Sequence, residues 1–402
     1  MELTVPRYWK SFACIGGVCE GNCCKGDWQI TLDKLTFDKY NRLLPDDLDV
    51  KFTEENDDNN QFFKAGSMIL EDGNCKYLDD EDYCQLQRKY GEEMLCVTCR
   101  IFPRTQVINL VDEFFVGLST ACPEVVRTAL LAKKDFRFTT IRLKDDHVML
   151  LNNAVIHVNN PFLKDLHNAV LDIMRVRTGA TLIEQILVTG LLLEKADELK
   201  PNTANLTAKF RAYPNALKAG EYAGLADSFP KNDVLESAMC HKLFYVMQNK
   251  FIGDNVFSYA FSNFFEKIKK YTGQESFTSK DAIQYVKELE VKHWKSFADK
   301  YEYALANYLC NYIFTKKFPD FEPGIEKYRD MTLFLAVQYQ IIKILLLSAA
   351  DENDGITEQV FTKVMFSYSR AYNHGMSAVN TVTAFIESEM SSLAHVALLL
   401  GV

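Results

Sequence analysis

The feature that most constrains this chain is where its cysteines lie. Nine of the eleven, Cys14, Cys19, Cys23, Cys24, Cys75, Cys84, Cys96, Cys99 and Cys122, fall in the first third, leaving only Cys240 and Cys310 beyond it. Four of them crowd into "CIGGVCEGNCC" before any apolar run long enough to build a core. Thiols at this density close disulfides, hold a metal or cluster, or pack. The opening "MELTVPRYWKSFACIGG" has no basic flank leading into an apolar run of signal-peptide length, so a reducing cytoplasm is expected. There, metal binding or catalysis is favoured over stable disulfides.

Length and charge narrow the partners. A chain of 402 residues has room for two domains. The 48% hydrophobic and 25% charged content is that of a globular protein able to bury a core without disulfides. A net charge of -9 argues against nucleic acid, whose binders carry a basic footprint. The most apolar stretch, "TLFLAVQYQIIKILLLSAA" from Thr332, is interrupted by Gln338, Gln340 and Lys343, which predicts a buried helix and no membrane span.

The local patterns divide the chain near residue 150. In the first part, "WQITLD" alternates as a strand, "KLTFDKYNRLL" reads as a short amphipathic helix, and "LPDDLDVKFTEENDDNNQFFKAG" as an acidic surface loop. "YCQLQRKYGEEML" predicts a helix, "TQVINLVDEFFVGLST" two strands around an Asp112-Glu113 turn, "PEVVRTALLAKK" a helix opened by Pro123, and "DFRFTTIRLK" a strand. Beyond residue 150 apolar residues recur at three and four spacing in seven segments, separated by breakers such as Pro201, Pro214, Gly273 and Pro323. The expected fold is therefore mainly α: a small irregular cysteine-rich α+β domain over 1-150 that binds a metal cluster, then an all-α, bundle-like domain of seven or eight helices over 151-402.

The cysteine spacing itself, C-x4-C-x3-C-C, then Cys75 and Cys84, then Cys96-x2-Cys99 and Cys122, suits loops that wrap a metal or cluster. One zinc or one [4Fe-4S] cube takes four thiolates, so nine are more than enough. No histidine lies in the first 140 residues; any site there is all-thiolate, which leans toward iron and sulfur over zinc. Adjacent Cys23 and Cys24 are expected to point apart and not to share one metal atom. Arg100 and Arg104 in "CVTCRIFPR" stand beside thiolates, where a guanidinium either forms a surface ion pair or grips a ligand carboxylate.

The blocks "FACIGGVCEGNCCKGDWQITLD", "GNCKYLDDEDYCQLQ", "CVTCRIFPR" and "STACPEV" together resemble the flagellin lysine-N-methylase family; the first is also similar to small zinc- or iron-chelating cysteine-cluster proteins. The motif match covers about the first 125 residues, and the length and helical remainder are consistent with it. One departure is Asp27, which intervenes before Trp28 where the family pattern has tryptophan directly after the glycine. The resemblance implies methylation of flagellin lysines in the cytoplasm, with S-adenosylmethionine as donor and a 4Fe-4S cluster on the cysteines. Arg100 and Arg104 are then candidates for the donor carboxylate. The cluster either seats the donor or staples the fold.

Other signals are weaker. "LVTGLLLE" around Gly190 has one glycine in a helical pattern and is no dinucleotide fingerprint. The C-x3-C-x2-C spacing of radical enzymes is absent, since no cysteine stands at 26. Among 54 acidic residues and 19 tyrosines no general base declares itself. Tyr301, Tyr303, Tyr308, Tyr312, Phe257, Phe261, Phe264 and Phe265 line either a protein-binding groove or, by helical spacing, the core. Cys240 and Cys310 read as packed thiols and His241 as structural. Two other classes stay open at this point: a non-catalytic zinc-stapled interaction protein and an iron-sulfur electron carrier or redox protein.

Overall fold

A computed structural model describes residues 2–26, 30–43, 52–54, 64–133, 136–142, 155–199, 203–250, 259–320, 322–351, 355–372 and 377–401. Its first part is built on short strands. β1 (Glu2–Pro6) buries Leu3 and Val5 on one face, the two-residue alternation of a half-buried strand. In this part follow β2 (Thr31–Asp33), α1 (Lys34–Leu43), β3 (Phe52–Glu54), β4 (Lys64–Met68), β5 (Leu70–Glu71), β6 (Asn74–Cys75), α2 (Gln85–Tyr90), α3 (Val97–Ile101), β7 (Ile108–Leu110), β8 (Glu113–Phe115), α4 (Pro123–Val125), β9 (Phe138–Arg142) and β10 (Ile156–Val158). A five-stranded sheet runs β10-β7-β8-β1-β9, with β1 parallel to β8 and antiparallel to β9. A second sheet runs β2-β4-β3.

The sequence reading holds for most of these elements and fails in two. The stretch expected to be an acidic loop contains β3 and the first three residues of β4; most of its remainder, like Asp27 and Trp28, lies outside the described residues. Its charge concealed the strands. The β7–β8 turn is centred one residue earlier than expected: Val111 and Asp112 both take left-handed φ, 50° and 62°, as a two-residue hairpin with a primed turn requires.

The second part is helical: α5 (Pro161–Met174), α6 (Leu182–Glu198), α7 (Leu206–Lys218), α8 (Asp233–Lys250), α9 (Tyr259–Thr272), α10 (Ser279–Leu289), α11 (Lys295–Thr315), α12 (Thr332–Ala350), α13 (Glu358–Tyr372), α14 (Ser377–Glu387) and α15 (Leu393–Leu400). Several starts are set by side chains that satisfy otherwise unpaired amides. Asn160 accepts from the Leu163 amide before Pro161 at the first turn, and Thr181 with Glu184 and Thr278 with Asp281 form reciprocal capping boxes.

Eleven helices among the described residues exceed the expected seven or eight. The long run from residue 280 divides at a wider turn, Glu290–Trp294, into α10 and α11. Pro214 is not a breaker: it sits inside α7, where Phe210, Pro214 and Leu217 are the buried face and tertiary packing outweighs the lost hydrogen bond. α14 and α15, short and low in charge, gave no periodic signal long enough to read.

α12 lies at the centre. All its residues are buried, so although long and apolar enough to cross a membrane, it is enclosed by protein. Two of its polar side chains are paired inside: Gln338 accepts from Tyr308 at 2.5 Å and donates to the Phe334 carbonyl, and Lys343 meets Glu290 at 2.7 Å beneath Trp294. Gly190 in α6 serves packing, since a Cβ there would lie 2.5 Å from Leu393 Cδ1 and 3.1 Å from Thr332 Cγ2. Cys240 and Cys310 are buried thiols, as expected, and His241 pairs with Ser279. Tyr308, Tyr312, Phe261 and Phe264 are core, Tyr301, Tyr303 and Phe265 pack partly exposed against it, and Phe257 lies outside the described residues.

The main core does not stop near residue 150. It takes in Tyr8, Phe115, Leu118 and Cys122 together with the helices, whereas a smaller core of Ile30, Leu32, Phe37, Tyr40, Met68, Cys75, Tyr77, Leu86, Met94 and Cys96 belongs to the cysteine region. Leu346→Ala, at a position with no exposure, is expected to cost about 2–5 kcal/mol in urea unfolding, against less than about 0.5 kcal/mol for Val291→Ala at 89% exposure. Equal effects would contradict the placement of α12.

Candidate functional site

The thiols gather because separate short elements deliver them to one place. The loop from Phe12 to Gly26 folds back through Asn22, whose Oδ1 accepts from the Cys24 amide at 2.9 Å while its Nδ2 donates to the Asp82 carbonyl at 2.8 Å. The Cys75 amide donates to the Cys24 carbonyl at 2.8 Å, which fastens this loop to β6. Gly16, at φ 64°, and Gly17 let the loop lie against Tyr83; a Cβ on Gly16 would stand 2.6 Å from that ring. Asp33 holds the other side: one carboxylate oxygen accepts from the Thr36 amide at the start of α1 and the other from the Val97 amide at the start of α3. Cys96 and Cys99 thereby face the smaller core.

All eleven cysteines are free. Six of them, Cys23, Cys24, Cys75, Cys84, Cys96 and Cys99, form one interacting group: Cys23 pairs with Cys24 and Cys96 with Cys99, and Cys24, Cys75, Cys84 and Cys99 feel the charge of other thiols in the group. Cys19 and Cys122 flank it through Cys23, and exposed Cys14 lies further out beside Cys19. Contrary to the expectation that they point apart, the Cys23 and Cys24 thiols interact with each other, Cys23 at the exposed side of the turn closed by Asn22 and Cys24 half-buried. The bond from Cys24 pulls Cys23 down to about 7 against burial, Arg370 adding to it, and pushes Cys24 up. Cys99 does the same for Cys96. Burial raises Cys75 to about 11 and Cys122 to about 12.

Arg370 is the functional residue that sequence reading missed. It reaches from α13 to donate Nε to the Ala121 carbonyl at 2.9 Å and Nη2 to the Gly21 carbonyl at 2.5 Å. Burial lowers its pKa, and the charges of Cys23, Cys122, Cys19 and Glu20 oppose that. Gly21 has no room for a side chain: a Cβ would lie 2.7 Å from Pro123 and 3.1 Å from Phe366. A single arginine in the apolar run "VMFSYSRAYN" was the available signal. Beside it Ser369 pairs with Thr120 at 2.7 Å.

Arg100 and Arg104 are placed differently from each other. Arg104 is half-buried, its guanidinium 5.4 Å from the Trp9 ring, and lines a cavity of about 520 Å³ with Ser119, Asn311 and Lys316; burial lowers its pKa. Arg100 follows Cys99 in α3 and has a buried Nε without a hydrogen-bond partner.

For a metal or cluster, the donor set fits in kind and number: six clustered soft thiols, two of them with lowered pKa. Among the described residues no three His, Cys, Asp or Glu side chains already stand in metal-holding geometry; the thiols meet as the pairs Cys23–Cys24 and Cys96–Cys99.

Fold and site together define a mainly helical protein with a free-thiol cluster docked on its helical body. The chain belongs to the FliB lysine N-methylase family: residues 167–399 match the model of the FliB lysine N-methylase C-terminal domain. It is similar to the lysine-N-methylases of Salmonella typhimurium and Salmonella choleraesuis, 24% identical to each over 424 aligned residues that cover 96% of both chains. Over 135 residues, 32% of this chain and 78% of the relative, it is 35% identical to the flagellar biosynthetic protein FliU of Salmonella muenchen. No solved structure matches it.

Arg370→Met leaves two buried carbonyls unpaired and is expected to destabilise the protein by about 1–3 kcal/mol. Hydrogen exchange of residues 19–24 should accelerate selectively. Unchanged protection there would show that Arg370 does not hold the loop.

Proposed function

We propose that this protein transfers methyl groups from S-adenosylmethionine to lysine side chains of flagellin in the cytoplasm, with an iron–sulfur cluster on its N-terminal cysteines. The observation that carries this reading is the family match across 167–399, joined to relatives named lysine-N-methylase that align over 96% of the chain. The name of the FliU relative supports a flagellar substrate.

The chemistry is a displacement. The neutral lysine amine attacks the sulfonium methyl, an N–C bond forms, and the C–S electron pair leaves with the neutral thioether. The methylated ammonium then releases its proton to water. Lysine titrates near ~10.4, so the site must favour the neutral amine by excluding water at the moment of transfer. The cysteine group, with Cys23, Cys24, Cys75, Cys84, Cys96 and Cys99 as the ligand pool, would supply a cluster that ties the loop and presents a polar seat for the donor. Arg100 and Arg104 are proposed for the donor carboxylate, the unpartnered Nε of Arg100 being the supporting observation.

The test is protein purified without oxygen, assayed for iron, acid-labile sulfide and zinc, and then incubated with S-adenosylmethionine and flagellin. Equal iron and sulfide with methyl-lysine detected by mass spectrometry upholds the reading. Zinc without sulfide and without transfer would return the protein to a stapled interaction module; iron without donor binding would make it a redox or electron-carrier protein. Cys96→Ser and Cys99→Ser should each lose most of the iron, whereas Cys310→Ser, in the helical core, should retain it.

A further inference from the structure

Beside the cysteine loop lies a cleft of about 930 Å³ whose walls come from the loop at Glu20, from Leu131 after α4, from Tyr259 at the start of α9 and from α13 between Glu358 and Phe366. Its volume is that of a ligand site. Its apolar end is Phe366, and this end abuts the thiol loop: Phe366 lies within packing distance of Gly21 and 5.0 Å from the Arg370 guanidinium.

The charges around the cleft are not equivalent. Glu20 is held by a bidentate pair with Arg127 at 2.7 and 2.8 Å, and Arg127 also meets Glu124 at 3.1 Å. Glu358 has no such partner: its carboxylate accepts only a long 3.4 Å contact from Tyr301, and no cation pairs with it among the described residues. Tyr259 lines the same cleft, and its ring face already carries an ammonium, that of Lys363, 3.6 Å from its centroid. An aromatic face attracts alkylammonium ions through its quadrupole. The cleft thus offers an apolar wall for a methylene stem, an aromatic face and a free carboxylate for a cationic head, next to the thiols.

We propose that this cleft is the acceptor-lysine channel, with Glu358 binding the incoming ammonium and the faces of Tyr259 and Phe366 guiding its stem. Lys363 occupies the place on Tyr259 that the substrate lysine takes over. The inference rests on the methyl-transfer reading and adds where the acceptor enters. Glu358 is a binding residue here, since its carboxylate touches the substrate head group.

The test uses the full chain, purified without oxygen, with flagellin and S-adenosylmethionine as the probes. Glu358→Gln and Tyr259→Ala should each raise KM for flagellin by about tenfold, the scale of one lost charge-assisted contact. Iron content, thermal midpoint and S-adenosylmethionine affinity by equilibrium dialysis should stay at wild-type values. An unchanged KM in both variants overturns the proposal. So does a loss of donor affinity with KM for flagellin intact, which would make the cleft the seat of the sulfonium. If the wild-type protein itself modifies no lysine, the methyl-transfer reading fails first and takes the channel with it; an active wild type with indifferent variants sinks the channel alone.

Discussion

The arrangement depends on one buried cation. Arg370 sits on the buried side of α13, and its guanidinium is held by the carbonyls of Gly21 and Ala121, with the thiol side chains of Cys19, Cys23 and Cys122 close enough to feel its charge. A buried guanidinium is unfavourable unless its donors are met and its charge is balanced. Here the Ala121 and Gly21 carbonyls take Nε and Nη2, and Cys23, whose thiol is drawn down to about 7, contributes to the second. The cysteine loop and the helical body therefore need each other: the loop solvates the arginine, and the arginine fixes the loop.

This coupling explains how a region of short elements keeps its shape. The smaller core is made largely of residues between Ile30 and Cys96 and includes two of the thiols, so it is too slight to hold the cysteine region alone. Support comes from outside, through Arg370, through Ser369 on Thr120, and through Asn311, which donates to the Leu118 carbonyl and accepts from Tyr8. Polar contacts of this kind, directed at backbone carbonyls, position the loop more sharply than apolar packing would.

Much of this was legible in the chain, and the parts that were not share a cause. The helices with regular apolar spacing were readable because burial imposes a period, and so were Pro123 as a helix opener and β9. α7 was hidden by Pro214, which local rules treat as a stop and tertiary packing overrides. β3 and β4 were hidden by charge. For the site, spacing identified the nine thiols as a group, yet it could not say that Cys23 and Cys24 turn toward each other or that Arg370 serves them. Those facts depend on contacts across the whole chain, and neither composition nor periodicity records them.

The hydrogen bond from Arg370 to Gly21 joins residues 349 positions apart. Synthesis runs from the amino end, so the thiols emerge from the ribosome long before the helix that docks them. Through most of translation the loop of Cys14 to Cys24 is therefore undocked and open to whatever binds soft thiolates. Only when α13 is made and folds onto it does Arg370 close over the loop. The arrangement of this loop is thus completed only with the last helices of the chain, although Cys14 and Cys23 stay at the surface of the finished fold.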